Sequence, residues 1–222
     1  MPAPQQGTHP VNPSLFRPEA TPPEHHRPRT WSGTGAVAEP DLERAAAGAR
    51  ILLEALGVDL DSESLARTPE RMAASLGELM SPRPFHLTTF PNDGGYDELI
   101  VARGIPLRSL CEHHMLPFVG TAHIGYLPGT RILGLSKLAR VLEHFASRPQ
   151  VQERLTVQVA DWLRAQLSPV GVGVVIEAEH LCMTLRGVQA PGTTTITSSL
   201  LGVLRDDSRS RAEFLALTRS PG

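Results

Sequence analysis

Cysteine is nearly absent: the 222 residues contain two, Cys111 and Cys182. The chain can therefore form at most one disulfide, and a metal site of three or four thiolates is excluded. An apolar stretch long enough to span a membrane is also missing, and the N-terminus lacks the basic region and hydrophobic run of a secretory signal. A cytoplasmic location follows as the expectation, and in a reducing compartment the two thiols stay unpaired. Charge of one sign is lacking too. Lys and Arg number 21 against 23 Asp and Glu, and the isoelectric point is near 6.5. No global basic field of the kind nucleic-acid binders use is available, so any polyanion site must be local. Neither nucleic acid nor a membrane is expected as a partner, and no repeat of solenoid length is visible.

Hydrophobic residues make up 41% and charged residues 20%, the balance of an ordinary soluble globular chain. Three regions differ in texture. Residues 1–38 are crowded with proline, and the tract from Thr21 to Arg29 offers almost no apolar surface, so a disordered arm is expected. Its histidines, His9, His25 and His26, are a poor ligand set without thiols. Residues 39–95 read as an N-terminal helical region. Leu42, Ala45, Ala46, Ala49, Leu52, Leu53 and Leu56 repeat at helical spacing until Gly57, and a second helix opens with Thr68 as N-cap and Pro69 behind it. Met72, Leu76, Leu79 and Met80 mark its buried face, and Pro82 and Pro84 stop it.

Residues 96–222 read as a separate domain. Leu99 to Leu107 and Phe118 to Leu127 have strand texture. Two helices follow, one capped by Ser136 and carrying Leu138, Val141, Leu142 and Phe145, the other opened by Pro149 and carrying Val151, Leu155, Val159, Trp162 and Leu163. Strand texture returns over Val172 to Val188 and Thr193 to Val203. The order ββααββ predicts an α+β fold: a four-stranded antiparallel sheet with a helix pair on one face. Such a sheet leaves two edges to be covered or paired with another subunit, so a homo-oligomer is expected.

Both cysteines stand beside histidine, in Cys111-Glu112-His113-His114 and His180-Leu181-Cys182. A thiolate and an imidazole three residues apart can share one ion from a single turn, and the distant thiolate extends the set. Cys111, His114 and Cys182 then form a three-ligand site that leaves a position for water. Recruiting His113 instead closes a structural site of two thiolates and two imidazoles, and two unrelated buried thiols remain the simplest alternative. If His113 and His180 are not ligands, they flank the metal as acid–base groups, and Glu112 is placed to orient a histidine. Alternation along an expected strand through Val188 sets His180, Cys182, Thr184 and Arg186 on one face. Lys137, Arg140 and His144 share a helix face beginning at Ser136, where backbone N–H groups favour a phosphate-bearing ligand, although most such rows are solvated surface. Gly129 to Lys137 resembles a P-loop only superficially, because the Ser and Lys are in the wrong order. Glu153, with Gln152, opens the next helix; its carboxylate complements the donors on the guanine edge if it lines a pocket.

The runs Ser109-Leu110-Cys111-Glu112-His113-His114, Gly134 to Arg140, Arg148 to Thr156 and Glu179 to Gly187, with Thr68-Pro69-Glu70-Arg71, together resemble GTP cyclohydrolase I, in order from about Asp41 to Leu217. The resemblance implies conversion of GTP and water to 7,8-dihydroneopterin triphosphate and formate, the first step toward pterins and tetrahydrofolate. It implies Zn2+ held by Cys111, His114 and Cys182, hydrolysis at guanine C8, and proton transfer by His113 and His180. Glu153 and Gln152 would hold the guanine edge, and Ser136, Lys137, Arg140, Arg186 and Arg71 the ribose triphosphate. It further implies the tunnelling fold and a homodecamer with active sites between subunits. Ala74 departs from the pattern, since many members carry a lysine there. Two competing expectations are a catalytically silent homologue that binds a purine or pterin, and a zinc-stabilised structural ring.

Overall fold

The computed structural model describes residues 39–219; the expected proline-rich arm and its histidines lie outside them. The described residues open with α1 (Leu42–Ala55) and α2 (Thr68–Met80). Asp41 caps α1 by accepting a hydrogen bond from the Arg44 amide at 2.9 Å. Thr68 proves to be the first helical residue of α2 and not its cap; Arg67 holds that position without a side-chain hydrogen bond. The two helices pack chiefly against one another. As a result the apolar stripe of α1 is not buried as its periodicity predicts. Only Ala49 is buried, while Leu52 and Leu56 of that stripe are 48% and 71% exposed.

After the short β1 (Thr89–Pro91), β2 (Ile100–Cys111) and β3 (Pro117–Leu127) form an antiparallel hairpin. Both are continuous strands, and β2 runs four residues beyond the expected Leu107, up to the first cysteine. β4 (Arg131–Leu133) pairs with β1 in a separate two-stranded sheet. Helix α3 (Ser136–Ala146) begins at Ser136, with Leu135 at the cap position. Pro149 does not open the next helix: it forms β5 (Pro149–Gln150), and α4 (Gln152–Leu167) starts two residues later. β6 (Gly171–His180), the one-turn α5 (Leu181–Thr184), β7 (Thr194–Gly202), α6 (Val203–Asp206) and α7 (Ser208–Thr218) complete the chain.

The main sheet has five strands rather than four, in the order β5-β2-β3-β6-β7. Its long pairings are antiparallel, and β5 adds to β2 in parallel. The fold is therefore α+β with a mixed sheet. One sheet face meets α3 and α4. Phe118, Ala122, Ile124 and Tyr126 from β3, with Val174 and Ile176 from β6, pack against Leu138, Val141, Leu142, Leu155, Val159 and Leu163, each nearly or wholly buried. The Tyr126 hydroxyl is not stranded there, because it accepts a hydrogen bond from the Leu133 amide at 2.8 Å.

Phe214 of α7 is also fully buried, and it lies on the ring-sized space left by two glycines. A Cβ added at Gly173 would come within 2.6 Å of the Phe214 ring, and one at Gly125 within 3.0 Å. Gly120 is required for a different reason. A side chain there would collide with the backbone of Glu177 and Ala178 on β6, two residues before His180 ends that strand.

Candidate active site

The β2–β3 turn is tight and internally bonded. The Cys111 amide donates to the Leu116 carbonyl at 2.9 Å, and the Met115 amide to the Cys111 carbonyl at 2.8 Å. Met115 takes a positive φ of 53°, an uncommon conformation for a side-chain-bearing residue outside such a closed turn. The turn swings His114 back toward Cys111, where His114 Nδ1 lies 3.8 Å from the Cys111 sulfur. Cys182 arrives from α5. The donor atoms of Cys111, His114 and Cys182 all lie within 4.8 Å of one another, so one ion can reach all three.

The expected strand through Val188 ends at His180. Its same-face row of His180, Cys182, Thr184 and Arg186 is therefore not what unites these residues. Cys182 and Thr184 belong to the α5 turn, closed by the Leu185 amide donating to the Leu181 carbonyl at 3.1 Å, and Arg186 follows it. The turn still brings Cys182 to the cluster and leaves Arg186 near enough for its charge to act on that thiol.

Burial, with the Cys111 thiol beside it, pushes the Cys182 thiol above its ordinary pKa, and Arg186 opposes the shift. Two thiols held this close cannot both ionise cheaply without a cation between them. The donor set of two sulfurs and an imidazole suits zinc-like, borderline-soft ions. These residues therefore fit a metal by the chemistry of their donors.

His113 Nδ1 lies 3.9 Å from the Cys111 sulfur, but its Nε2 faces Glu112 Oε1 at 3.8 Å. Glu112 is itself tied to Arg154. Arg154 donates through Nε to Gln150 Oε1 at 2.8 Å, and the Glu112 amide donates to the Gln150 carbonyl at 3.0 Å. The turn bearing Cys111 and His114 is thus anchored to β5 and α4. Gln150 is 1% exposed, and neither it nor Arg154 stood out in the sequence. Buried glutamine carries no sequence signature, and an arginine in a helix's first turns reads as surface.

His180 ends β6 and pairs with Phe118 in the sheet register. Its ring stacks on that phenylalanine with centroids 4.6 Å apart and planes 8° from parallel. Burial holds its pKa below the usual imidazole range, while the Glu153 carboxylate pulls the other way. Glu153 is exposed in the first turn of α4. Gln152 behaves differently from its neighbour: it is 1% exposed, and its side-chain amide is engaged with His180 and with β6 and β7.

The basic residues expected at a phosphate end are more scattered. Ser136 is exposed and Lys137 half-buried at the start of α3. Arg140 pairs with Glu143 at 3.3 Å, and Glu143 also pairs with Arg83. His144 does not continue a solvated basic row. It is packed among rings, with Phe85 at 5.9 Å and Phe145 at 5.3 Å, and burial and the Arg148 charge lower its pKa. Arg71 lies on the exposed side of α2.

Fold and site together place the molecule among α+β proteins organised around a thiol–imidazole centre able to hold a metal, with a further histidine, His113, beside it. Comparison with known proteins narrows that class. Residues 45–219 match the GTP cyclohydrolase I family model. The GTP cyclohydrolase 1 of Aquifex aeolicus (strain VF5) is 51% identical over 179 residues, covering 81% of this chain and 97% of that protein. That of Streptomyces avermitilis is 48% identical over 198 residues, covering 86% and 98%. Among solved structures, the archaeosine synthase QueF-Like aligns with 47% of this chain and 93% of its own at a TM-score of 0.38 and 16% identity, too distant to add to the assignment. The chain belongs to the GTP cyclohydrolase I family. Among the described residues, no helix is long and apolar enough to cross a membrane.

Proposed function

We propose that this protein hydrolyses GTP at guanine C8, giving 7,8-dihydroneopterin triphosphate and formate, the entry to pterin and tetrahydrofolate synthesis. The reading is carried by the convergence of Cys111, His114 and Cys182 within 4.8 Å in a chain that matches the family over residues 45–219. Zn2+ is the proposed metal, with these three residues as its ligands. When bound, it supplies Lewis acidity and a water acidified toward neutrality.

The chain's own residues do the remaining work. His180, whose pKa burial lowers against the pull of Glu153, accepts a proton as the imidazole ring is opened and returns it later. His113, exposed and turned toward Glu112, exchanges protons from the other side of the ligand turn. The Glu153 carboxylate accepts hydrogen bonds from the guanine N–H donors. Ser136, Lys137, Arg140, Arg186 and Arg71 bind the ribose triphosphate, and Arg140 must exchange part of its pairing with Glu143 for the anion. Ala74 contributes no charge there.

The protein acts as a homo-oligomer, in the tunnelling fold and by family likeness a decamer with sites between subunits. Two observations support this. β7 is a nine-residue edge strand, and a strand edge invites pairing. Ile51, Leu56, Leu185, Val188 and Ile196 are all more than 60% exposed, apolar surface that neighbouring subunits would cover. The division into a helical region over 39–95 and a catalytic domain over 96–222, and a cytoplasmic location, complete the proposal. Incubating zinc-loaded protein with GTP tests the activity: formate and a fluorescent pterin should appear together. Full zinc occupancy with neither product would reduce the site to a structural or silent one.

A further inference from the structure

The polar cluster beneath His180 admits one arrangement of protons, and that arrangement identifies the working nitrogen of the ring. Thr156 Oγ1 lies 2.7 Å from the main-chain carbonyl of Gln152. A carbonyl only accepts, so Thr156 spends its single proton there. Thr197 Oγ1, 2.7 Å from Thr156 Oγ1, must then be the donor of that pair. Having given its proton to Thr156, Thr197 can only accept from the Gln152 side-chain amide, 3.1 Å away.

The same amide nitrogen faces the Thr195 carbonyl at 2.9 Å and the Ile176 carbonyl at 3.1 Å. Turning the amide over would set its oxygen against two carbonyl oxygens in a site where Gln152 is 1% exposed. Burying unsatisfied acceptors in that way is costly, so the nitrogen side belongs to the strands. The amide oxygen is left facing His180 Nε2 at 2.7 Å. It cannot donate, so the hydrogen of that bond is on His180 Nε2. Stacking on Phe118 fixes the plane of the same ring.

We propose that Gln152 is a positioning residue that holds His180 as the Nε2–H tautomer, so that Nδ1 takes and returns the proton during turnover. In the protonated ring both nitrogens carry hydrogen; the Nε2 hydrogen stays on the Gln152 oxygen, and only the Nδ1 hydrogen is exchanged. Gln152 is thereby removed from the guanine edge, leaving Glu153 to read it. The role given to Nδ1 rests on the GTP hydrolysis proposed above, whereas the tautomer does not.

The test is 15N–1H correlation spectroscopy of the histidine rings in full-length, zinc-loaded protein at about pH 8, above the ordinary imidazole range, paired with steady-state kinetics on GTP. The expected result is a pyrrole-type Nε2 and a pyridine-type Nδ1 for His180. Gln152→Met, which keeps the volume and removes the acceptor, should mix the two tautomers. It should lower kcat by about 10-fold to 100-fold, as loss of a ligand-orienting partner typically does, with KM for GTP and zinc content unchanged. Thr197→Val should shift His180 in the same direction by less, and Thr197→Ser, which keeps the hydroxyl, should retain the single tautomer. An Nδ1–H signal in the wild type would overturn the proposal, as would a Gln152→Met protein with a raised KM and an unaltered His180 spectrum. If Gln152→Met does not fold, the wild-type spectrum and the Thr197 pair still decide. A protein that shows the tautomer and no GTP turnover would contradict the activity and not the tautomer.

Discussion

The two ends of the proposed pocket are built in different ways. At the metal end, three segments converge through bonds made within one chain: the β2–β3 turn closes on itself, Arg154 and Gln150 tether it, and Gln152 and Phe118 hold His180. At the anion end, Ser136 and Arg186 stand exposed, Arg140 is shared with Glu143, and Arg71 sits on a helix that packs mainly on its neighbour. A bound zinc holds its ligands to narrow distances and a near-tetrahedral geometry, whereas a flexible polyanion can be gathered by long cationic side chains. On the proposed reading, the metal-binding groups are organised inside the subunit, while the grip on the triphosphate is completed on binding or by a second subunit.

Removing a ligand should break the contrast most severely. His114→Ala or Cys182→Ala is expected to lose zinc by metal analysis and to abolish measurable turnover, because either change leaves two ligands where an open zinc site uses three. His113→Ala comes next. It should keep its zinc and lose about 10²-fold to 10⁴-fold in kcat, the usual worth of one acid–base group; equal loss of zinc in the His113 and His114 variants would mean a closed, four-ligand site instead.

At the anion end the effects should be milder and appear in KM. Arg140→Ala is expected to raise KM for GTP by about 10-fold, the scale of one charge-assisted hydrogen bond, with zinc content and kcat close to wild type. A collapse of zinc binding in that variant would show that the two ends are not separately built.

The smallest effect is on stability and lies outside the pocket. Burial lowers the pKa of both His123 and His144, helped by Arg103 for the first and by Arg148 for the second; Glu177 opposes the shift at His123. A histidine with a depressed folded-state pKa is held neutral by the fold, while the unfolded chain takes up its proton near pH 6.5. The stability these groups permit is thus present above about pH 6.5 and lost as pH falls from there toward their folded values. Urea midpoints should decline over that window, and His144→Gln should flatten the decline.

Much of the metal end was legible in the sequence. The spacing of Cys111 and His114 fits one turn, and the β2–β3 turn supplies it; the helical intervals of α1, α3 and α4 also appear in the structure. The termination of β6 was not legible, because His180 to Arg186 sets His180, Cys182, Thr184 and Arg186 at alternate positions between Leu181, Met183 and Leu185 as a strand does, and a one-turn helix has no period to display. β5 was hidden by its two-residue length and by Pro149, which reads as a breaker. α7 buries only Phe214 and Thr218, so no apolar stripe announced it. Gln150 and Gln152 were invisible as structural residues for a simpler reason. A glutamine is normally solvated, and only the carbonyls of neighbouring strands reveal one that is not.

On the proposed reading, Cys111, His114 and Cys182 hold the metal at which GTP is opened. Zinc titrated into metal-stripped protein with GTP in excess tests it most directly. Formate release should rise in proportion to bound zinc and level off at about one equivalent per chain, as for single-metal hydrolases. Formate release that is independent of zinc, or zinc bound to saturation with no formate, would contradict it.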